Sequence, residues 1–129
     1  NTIGASLDVW KKRKAAGHLL FITSDAGRSA FDGLAVYSGS KHFMEATLRS
    51  LRREISGSGI RVTAIQPGNV ATPLASMARD SKGLKDFGGP SGAKVLDPSD
   101  VANSVVYALE QPAHCAVNEI LIEPTGEPI

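Results

Sequence analysis

Gly17-His18-Leu19-Leu20-Phe21-Ile22-Thr23-Ser24 is an apolar run without alternation that ends in two hydroxyls. A strand covered by helices on both faces has this pattern, because neither of its faces meets water. A second run, Gly59-Ile60-Arg61-Val62-Thr63-Ala64-Ile65-Gln66-Pro67-Gly68, also ends in a turn. The strands are expected over Leu19–Thr23 and Arg61–Gln66. Between them Tyr37, Lys41, Met44, Leu48, Leu51 and Ile55 follow spacings of four, three, four, three and four. That is the stripe of one amphipathic helix, expected from about Val36 to Ser56. Strand, helix, strand with polar groups at both strand ends predicts a parallel α/β unit. Ligands of such sheets sit beyond the carboxyl ends of the strands.

Outward from this unit, Ile3 to Lys14 reads as a short helix with Ile3, Leu7 and Trp10 on one side. Its end, Lys11-Lys12-Arg13-Lys14, is a solvated basic cluster suited to the negative pole of the helix. Gly57-Ser58-Gly59 is a helix-ending linker. Thr72 to Lys94 is polar and glycine-rich, the composition of a lid or a disordered connection. Leu74, Met77 and Phe87 within it are expected to line a pocket. Asp97-Pro98-Ser99-Asp100 starts a helix, with Asp97 as its cap. Val101, Val105, Ala108 and Leu109 are expected to form that helix's buried face. Glu119 to Ile122 is a last short strand.

Residues four apart share a helix face, so Tyr37 and Lys41 project into one space at the upper end of the stripe. Taken alone, such a pair is commonly a core-edge aromatic beside a solvated charge. At the rim of a sheet it has a second reading, in which the cation favours the phenolate. At an effective dielectric of ~20 and a separation of ~5 Å the charge contributes about 3 kcal/mol. That is enough to bring a phenol into range for acid–base work.

The chain resembles the short-chain dehydrogenase/reductases. Ser24, with Tyr37-Ser38-Gly39-Ser40-Lys41 beginning thirteen residues later, matches that family's serine and Tyr-x-x-x-Lys. Pro67-Gly68-Asn69-Val70-Ala71-Thr72 matches its Pro-Gly turn. Leu96-Asp97-Pro98-Ser99-Asp100-Val101-Ala102, Gln111-Pro112 and Asn118-Glu119-Ile120-Leu121-Ile122 are similar to its closing helix and last strand. The resemblance implies a Rossmann-like, doubly wound parallel sheet, of which about three strands plus helices lie in this chain. It implies hydride transfer between a nicotinamide and a carbonyl or secondary alcohol. The cofactor would be NAD(P), with a lean to NADP from the closing segment.

In that reading Tyr37 is the acid or base, and Lys41 also holds the nicotinamide ribose. Ser24 steadies the substrate oxygen. The Val70 N–H and the Thr72 hydroxyl anchor the carboxamide, while Pro67 and Gly68 let the chain approach the ring. Asn1 is a candidate for the family's catalytic asparagine, although it precedes Ser24 by an interval more than one helical turn too short. Asp25 stands where a small residue is expected and reads as a surface-loop carboxylate. Pairing through the Val36–Ser56 helix, with Phe43, Ala46, Thr47 and Ser50 on its second flank, would give a homodimer or homotetramer.

The 129 residues are 42% hydrophobic and 21% charged, ordinary for one globular domain. A net charge of +1 gives no reason to expect nucleic acid or an anionic membrane as partner. No apolar stretch has the length of a membrane span. The single Cys115 makes no intrachain disulfide, which agrees with a cytoplasmic setting. His18, His42 and His114 are scattered and lack metal-ligand spacing. The family's glycine-rich Thr-Gly-x-x-x-Gly-x-Gly turn is not found, and the chain begins at Asn1. Residues 1–129 are therefore expected to be the C-terminal catalytic portion of a single Rossmann-fold domain, with the dinucleotide-binding N-terminal portion outside the chain. Two other functions are open: a half-length, non-catalytic scaffold protein, and a sugar-nucleotide epimerase or dehydratase. The Pro67-Gly68 turn and the short tail oppose the latter.

Overall fold

Both apolar runs form strands and the striped segment between them forms a helix. In the computed structural model, which describes residues 2–74, 77, 94–127 and 129, the order is α1 (Thr2–Arg13), β1 (Gly17–Ile22), α2 (Ala35–Glu54), β2 (Ile60–Pro67), α3 (Pro98–Glu110) and β3 (Glu119–Ile122). The strands make one sheet in the order β1-β2-β3. Both pairs are parallel, with Gly17 opposite Ile60 and Ala64 opposite Glu119. Parallel neighbours need a crossover, and α2 and α3 supply them. This is the expected α/β architecture, a Rossmann-like fragment.

The core lies between one face of the sheet and two helices. Leu19, Val62 and Ala64 meet Leu48, Leu51 and Ile55, with Ile3, Leu7 and Trp10 of α1 packed against them. Each large side chain buried there contributes about 1.5–3 kcal/mol. The lower half of the stripe is thus core, as its spacing predicts.

Alternate residues of β1 and β2 face the other way, and there the contacts are polar. The Arg61 guanidinium donates to Gln111 O at 3.0 Å and Cys115 O at 3.2 Å. The Thr63 hydroxyl donates to Val117 O and lies 2.7 Å from His18 Nε2. Since the threonine proton is already given, His18 donates through Nε2, and its Nδ1 is buried without a hydrogen bond. Burial, then the Arg61 charge, pushes His18 below its ordinary 6.5.

Helix ends follow local chemistry. At the end of α1, Ala15 N bonds to Trp10 O and Lys14 N to Lys11 O, the pairing that closes a helix around a left-handed residue. The capping box at α3 is complete, with Asp97 and Asp100 each reaching the other's backbone N–H. Leu109 is corrected: it is 46% exposed, whereas Ala108 is fully buried. Positions 101, 105 and 108 share one face at spacings of four and three, and Leu109 lies ~100° further round.

Glu119 joins three elements. It accepts from Arg28 at 3.0 Å, Arg49 at 2.9 Å and Arg52 at 3.3 Å. Hydrogen bonding from Arg49 foremost, with the Arg49 and Arg52 charges and the Arg52 bond assisting against burial, holds its carboxyl at about 2. On the outer flank of α2, Phe43 is 72% exposed. Most of the segment between Thr72 and Lys94, Phe87 included, lies outside the described residues. Its base is tied by a parallel bridge between Val70 and Leu96. Among the described residues no helix is long and apolar enough to cross a membrane.

Candidate active site

Beyond β1 the ladder continues one residue, with Thr23 N bonded to Ile65 O at 2.7 Å. The start of α2 stands over these strand ends, so Tyr37 and Lys41 emerge at the rim. Lys41 Nζ lies 5.4 Å from the centroid of the Tyr37 ring, within cation–π range. It donates to Thr23 O at 2.8 Å. Burial lowers the Lys41 pKa from 10.5, while the Glu45 charge opposes that shift. A partly desolvated ammonium acts on its neighbours through less screening than one in water.

Glu45 is a residue that the stripe did not single out. It is 1% exposed and accepts from the Thr23 hydroxyl at 2.6 Å, whereas Met44 is only partly buried. Its other carboxylate oxygen has no hydrogen bond. The available signal was its place four residues after Lys41. Gly27 makes this closeness feasible, because a Cβ there would come within 2.8 Å of Glu45 Cγ and 3.2 Å of Lys41 O. Thr23 is therefore held at both its hydroxyl and its carbonyl by one helix.

Ser24 is buried, and its hydroxyl donates to Asp25 Oδ1 at 2.7 Å while accepting from Ala26 N at 3.2 Å. The reading of Asp25 as a surface-loop carboxylate is corrected by this bond. The backbone folds into a 3-10 turn over Asp25–Gly27, which brings the carboxylate back onto the serine and onto Ala26 N at 2.6 Å.

Two cavities meet at Tyr37. The first, about 310 Å³, gathers Ser24, Tyr37, Lys41, Pro67, Gly68, Val70 and Thr72, with Ile22 and Val101 as apolar walls. The second, about 540 Å³, shares Ser24, Tyr37, Gly68 and Leu74 with it and adds Asp25, Phe31, Leu34, Asn69 and Glu127. Gly68 sits at the junction, where a Cβ would lie 3.1 Å from Pro124 Cδ and 3.4 Å from Asp25 Oδ2. Leu74 lines both cavities as expected, whereas Met77 is exposed and lines neither. Asn1 lies outside the described residues.

A family model described as short chain dehydrogenase matches residues 1–83. The chain belongs to the short chain dehydrogenase family. It is 60% identical over 116 residues to the glycine betaine reductase ATRR of Emericella nidulans, covering 90% of this chain and 9% of that protein. It is 37% identical to an uncharacterized oxidoreductase of Staphylococcus saprophyticus, covering 86% of this chain and 43% of that one. Among solved structures, the closed form of a serine dehydrogenase complexed with NADP+ superposes with a TM-score of 0.86 at 29% identity, over 98% of this chain and 51% of that one. The serine dehydrogenase of Escherichia coli gives 0.75 at 28% identity, over 97% and 47%. The chain thus spans about half or less of the length of these relatives.

The first cavity fits the nicotinamide-ribose end of a dinucleotide. Lys41 spends one of its three N–H donors on Thr23, and Tyr37 and Thr72 bring hydroxyls to the same space. Apolar walls with a few convergent polar groups are what a small planar ring requires.

Proposed function

We propose that this segment is the catalytic C-terminal portion of an NAD(P)-dependent oxidoreductase acting on a carbonyl or secondary alcohol. The observation that carries the reading is the meeting of Ser24, Tyr37, Lys41, Val70 and Thr72 at one cavity beyond the strand ends. When bound there, a nicotinamide would supply or take the hydride. Tyr37 gives a proton to the substrate oxygen in reduction and takes one in oxidation. Lys41, with one of its donors on Thr23 O, would offer the remaining ones to the ribose. Val70 N–H and the Thr72 hydroxyl would hold the carboxamide, with Pro67 and Gly68 shaping the approach. Ser24 steadies the substrate oxygen.

NADP is the cofactor we favour, supported by the NADP+ complex of the serine dehydrogenase. The dinucleotide's other half would be held by residues preceding this segment in the full protein. Two or four copies would associate through α2, whose exposed Val36 and Phe43 suit a covered flank. The Emericella relative is a glycine betaine reductase, and glycine betaine carries a permanent trimethylammonium charge. For this chain we carry over the class: a small carbonyl compound bearing a quaternary ammonium group. The test is Tyr37→Phe in the full-length protein, with folding checked by circular dichroism. Reduction should fall about 10²–10⁴-fold while NADPH still binds; undiminished turnover would overturn the assignment.

A further inference from the structure

The second cavity shares Ser24, Tyr37, Gly68 and Leu74 with the first, and its other lining residues have no role in the proposed hold on the nicotinamide. Its described lining carries two carboxylates, Asp25 and Glu127, and two aromatic rings, Phe31 and Tyr37, with no lysine, arginine or histidine. Both acids are held by neutral donors. Asp25 Oδ1 accepts from Ser24 and Ala26, and Glu127 Oε2 accepts from Asn69 Nδ2 at 2.8 Å. The nearby Arg28 turns its guanidinium away, to Gln66 and Glu119. Among the described residues neither carboxylate has an ion-pair partner.

We infer that Asp25, assisted by Glu127, reads the quaternary ammonium of the substrate, and that the arriving charge frees the Ser24 hydroxyl for the carbonyl oxygen. The inference rests on the oxidoreductase reading above and assigns the residues that would make it selective. Ser24 has one proton, and a carboxylate 2.7 Å away holds it. A serine whose proton is committed can accept a hydrogen bond but cannot donate one to a carbonyl. A cation beside Asp25 weakens the carboxylate's hold on that proton, which then turns to the substrate oxygen. The short Ser24–Asp25 bond also sets the scale, because the charge and the reacting carbonyl must belong to one small molecule. An ammonium one carbon from the carbonyl meets that requirement. The Phe31 ring in the same lining adds attraction for a quaternary cation that has no N–H to donate.

The experiment uses the full-length protein with two aldehydes of the same shape, trimethylammonioacetaldehyde and its uncharged carbon analogue 3,3-dimethylbutanal. The readout is the ratio of their kcat/KM values, so a general loss of activity cancels. A second readout is calorimetric binding of choline against 3,3-dimethylbutan-1-ol in the presence of NADP+. Wild type should favour the cation in both, and Asp25→Asn should cut the kinetic ratio at least about tenfold (about 1.4 kcal/mol). Glu127→Gln should cut it by a smaller factor, and added salt should lower it in wild type. An unchanged ratio in Asp25→Asn overturns the inference, as does a wild type indifferent to charge. If Asp25→Asn does not fold, insensitivity of the ratio to both salt and Glu127→Gln overturns it instead. Failure of the oxidoreductase reading would look different: neither aldehyde would be turned over, while choline binding would still report on the charge.

Discussion

The two cavities that meet at Tyr37 are built from different kinds of residue. The first is made by strand ends, the turn after β2 and the first turns of α2, and its one charged described side chain is the Lys41 cation. The second is made by the 3-10 turn, the approach to α2 and the chain's tail, and its charged described side chains are both acids. A common chemistry belongs on the first side, where a shared cofactor would bind. In the inference above selectivity would come from the second, whose charged described side chains lie outside the motif. Ser24 and Gly68 are the points where a change on one side reaches the other.

Substitutions should separate the two sides. The largest effect is expected from Lys41→Ala, which removes the charge of the first cavity. Reduction should fall at least about 10²-fold, by the same factor for charged and uncharged aldehydes. A loss confined to the cationic aldehyde would break the division. Gly68→Val comes next. Its Cβ would press on Pro124 and crowd Asp25 Oδ2, so cofactor affinity and substrate selectivity should fall together, each by about tenfold (about 1.4 kcal/mol). If only one of them moves, the cavities are more independent than their shared wall suggests.

Glu119 lies in neither cavity and should give the smallest effect on activity. Its readout is acid stability. Its folded carboxyl stands at about 2 against an ordinary 4.5, so the unfolded chain binds the proton more readily. The stability it contributes is present above pH 4.5 and fades as pH falls from 4.5 toward 2. Glu119→Gln should remove that part of the acid transition while sparing the aldehyde ratio. An identical acid profile in the variant would show that the three-arginine contact contributes nothing to folding.

Much of the first cavity could be read from the chain. The stripe from Met44 to Ile55 announced a helix, and the apolar runs announced strands. However, β1, read as covered on both faces, is fully buried only at Leu19, whereas β2 is buried along most of its length. Tyr37 and Lys41 then had to share a face, because a helix fixes the direction of residues four apart. The second cavity could not be read in this way. Asp25 looked like a solvated loop acid because nothing in its neighbours shows that a 3-10 turn folds it onto Ser24. Glu45 was passed over for Met44 because hydropathy ranks a carboxylate as a surface group, while Thr23 and Gly27, distant in sequence, create its buried place. Glu119 was legible as a strand residue, but its three arginines come from two other elements.

The sequence by itself determined the elements, their parallel pairing and the side of the sheet on which a ligand would sit. Those features depend on periodicity and on the fixed direction of side chains along a helix or strand, which are local properties. Only the tertiary structure decided where the buried and pocket-lining charges went. A charge inside a fold is tolerated according to what packs beside it, and for Asp25, Glu45 and Glu119 the deciding neighbours were a backbone turn, a strand-end hydroxyl and arginines far away along the chain.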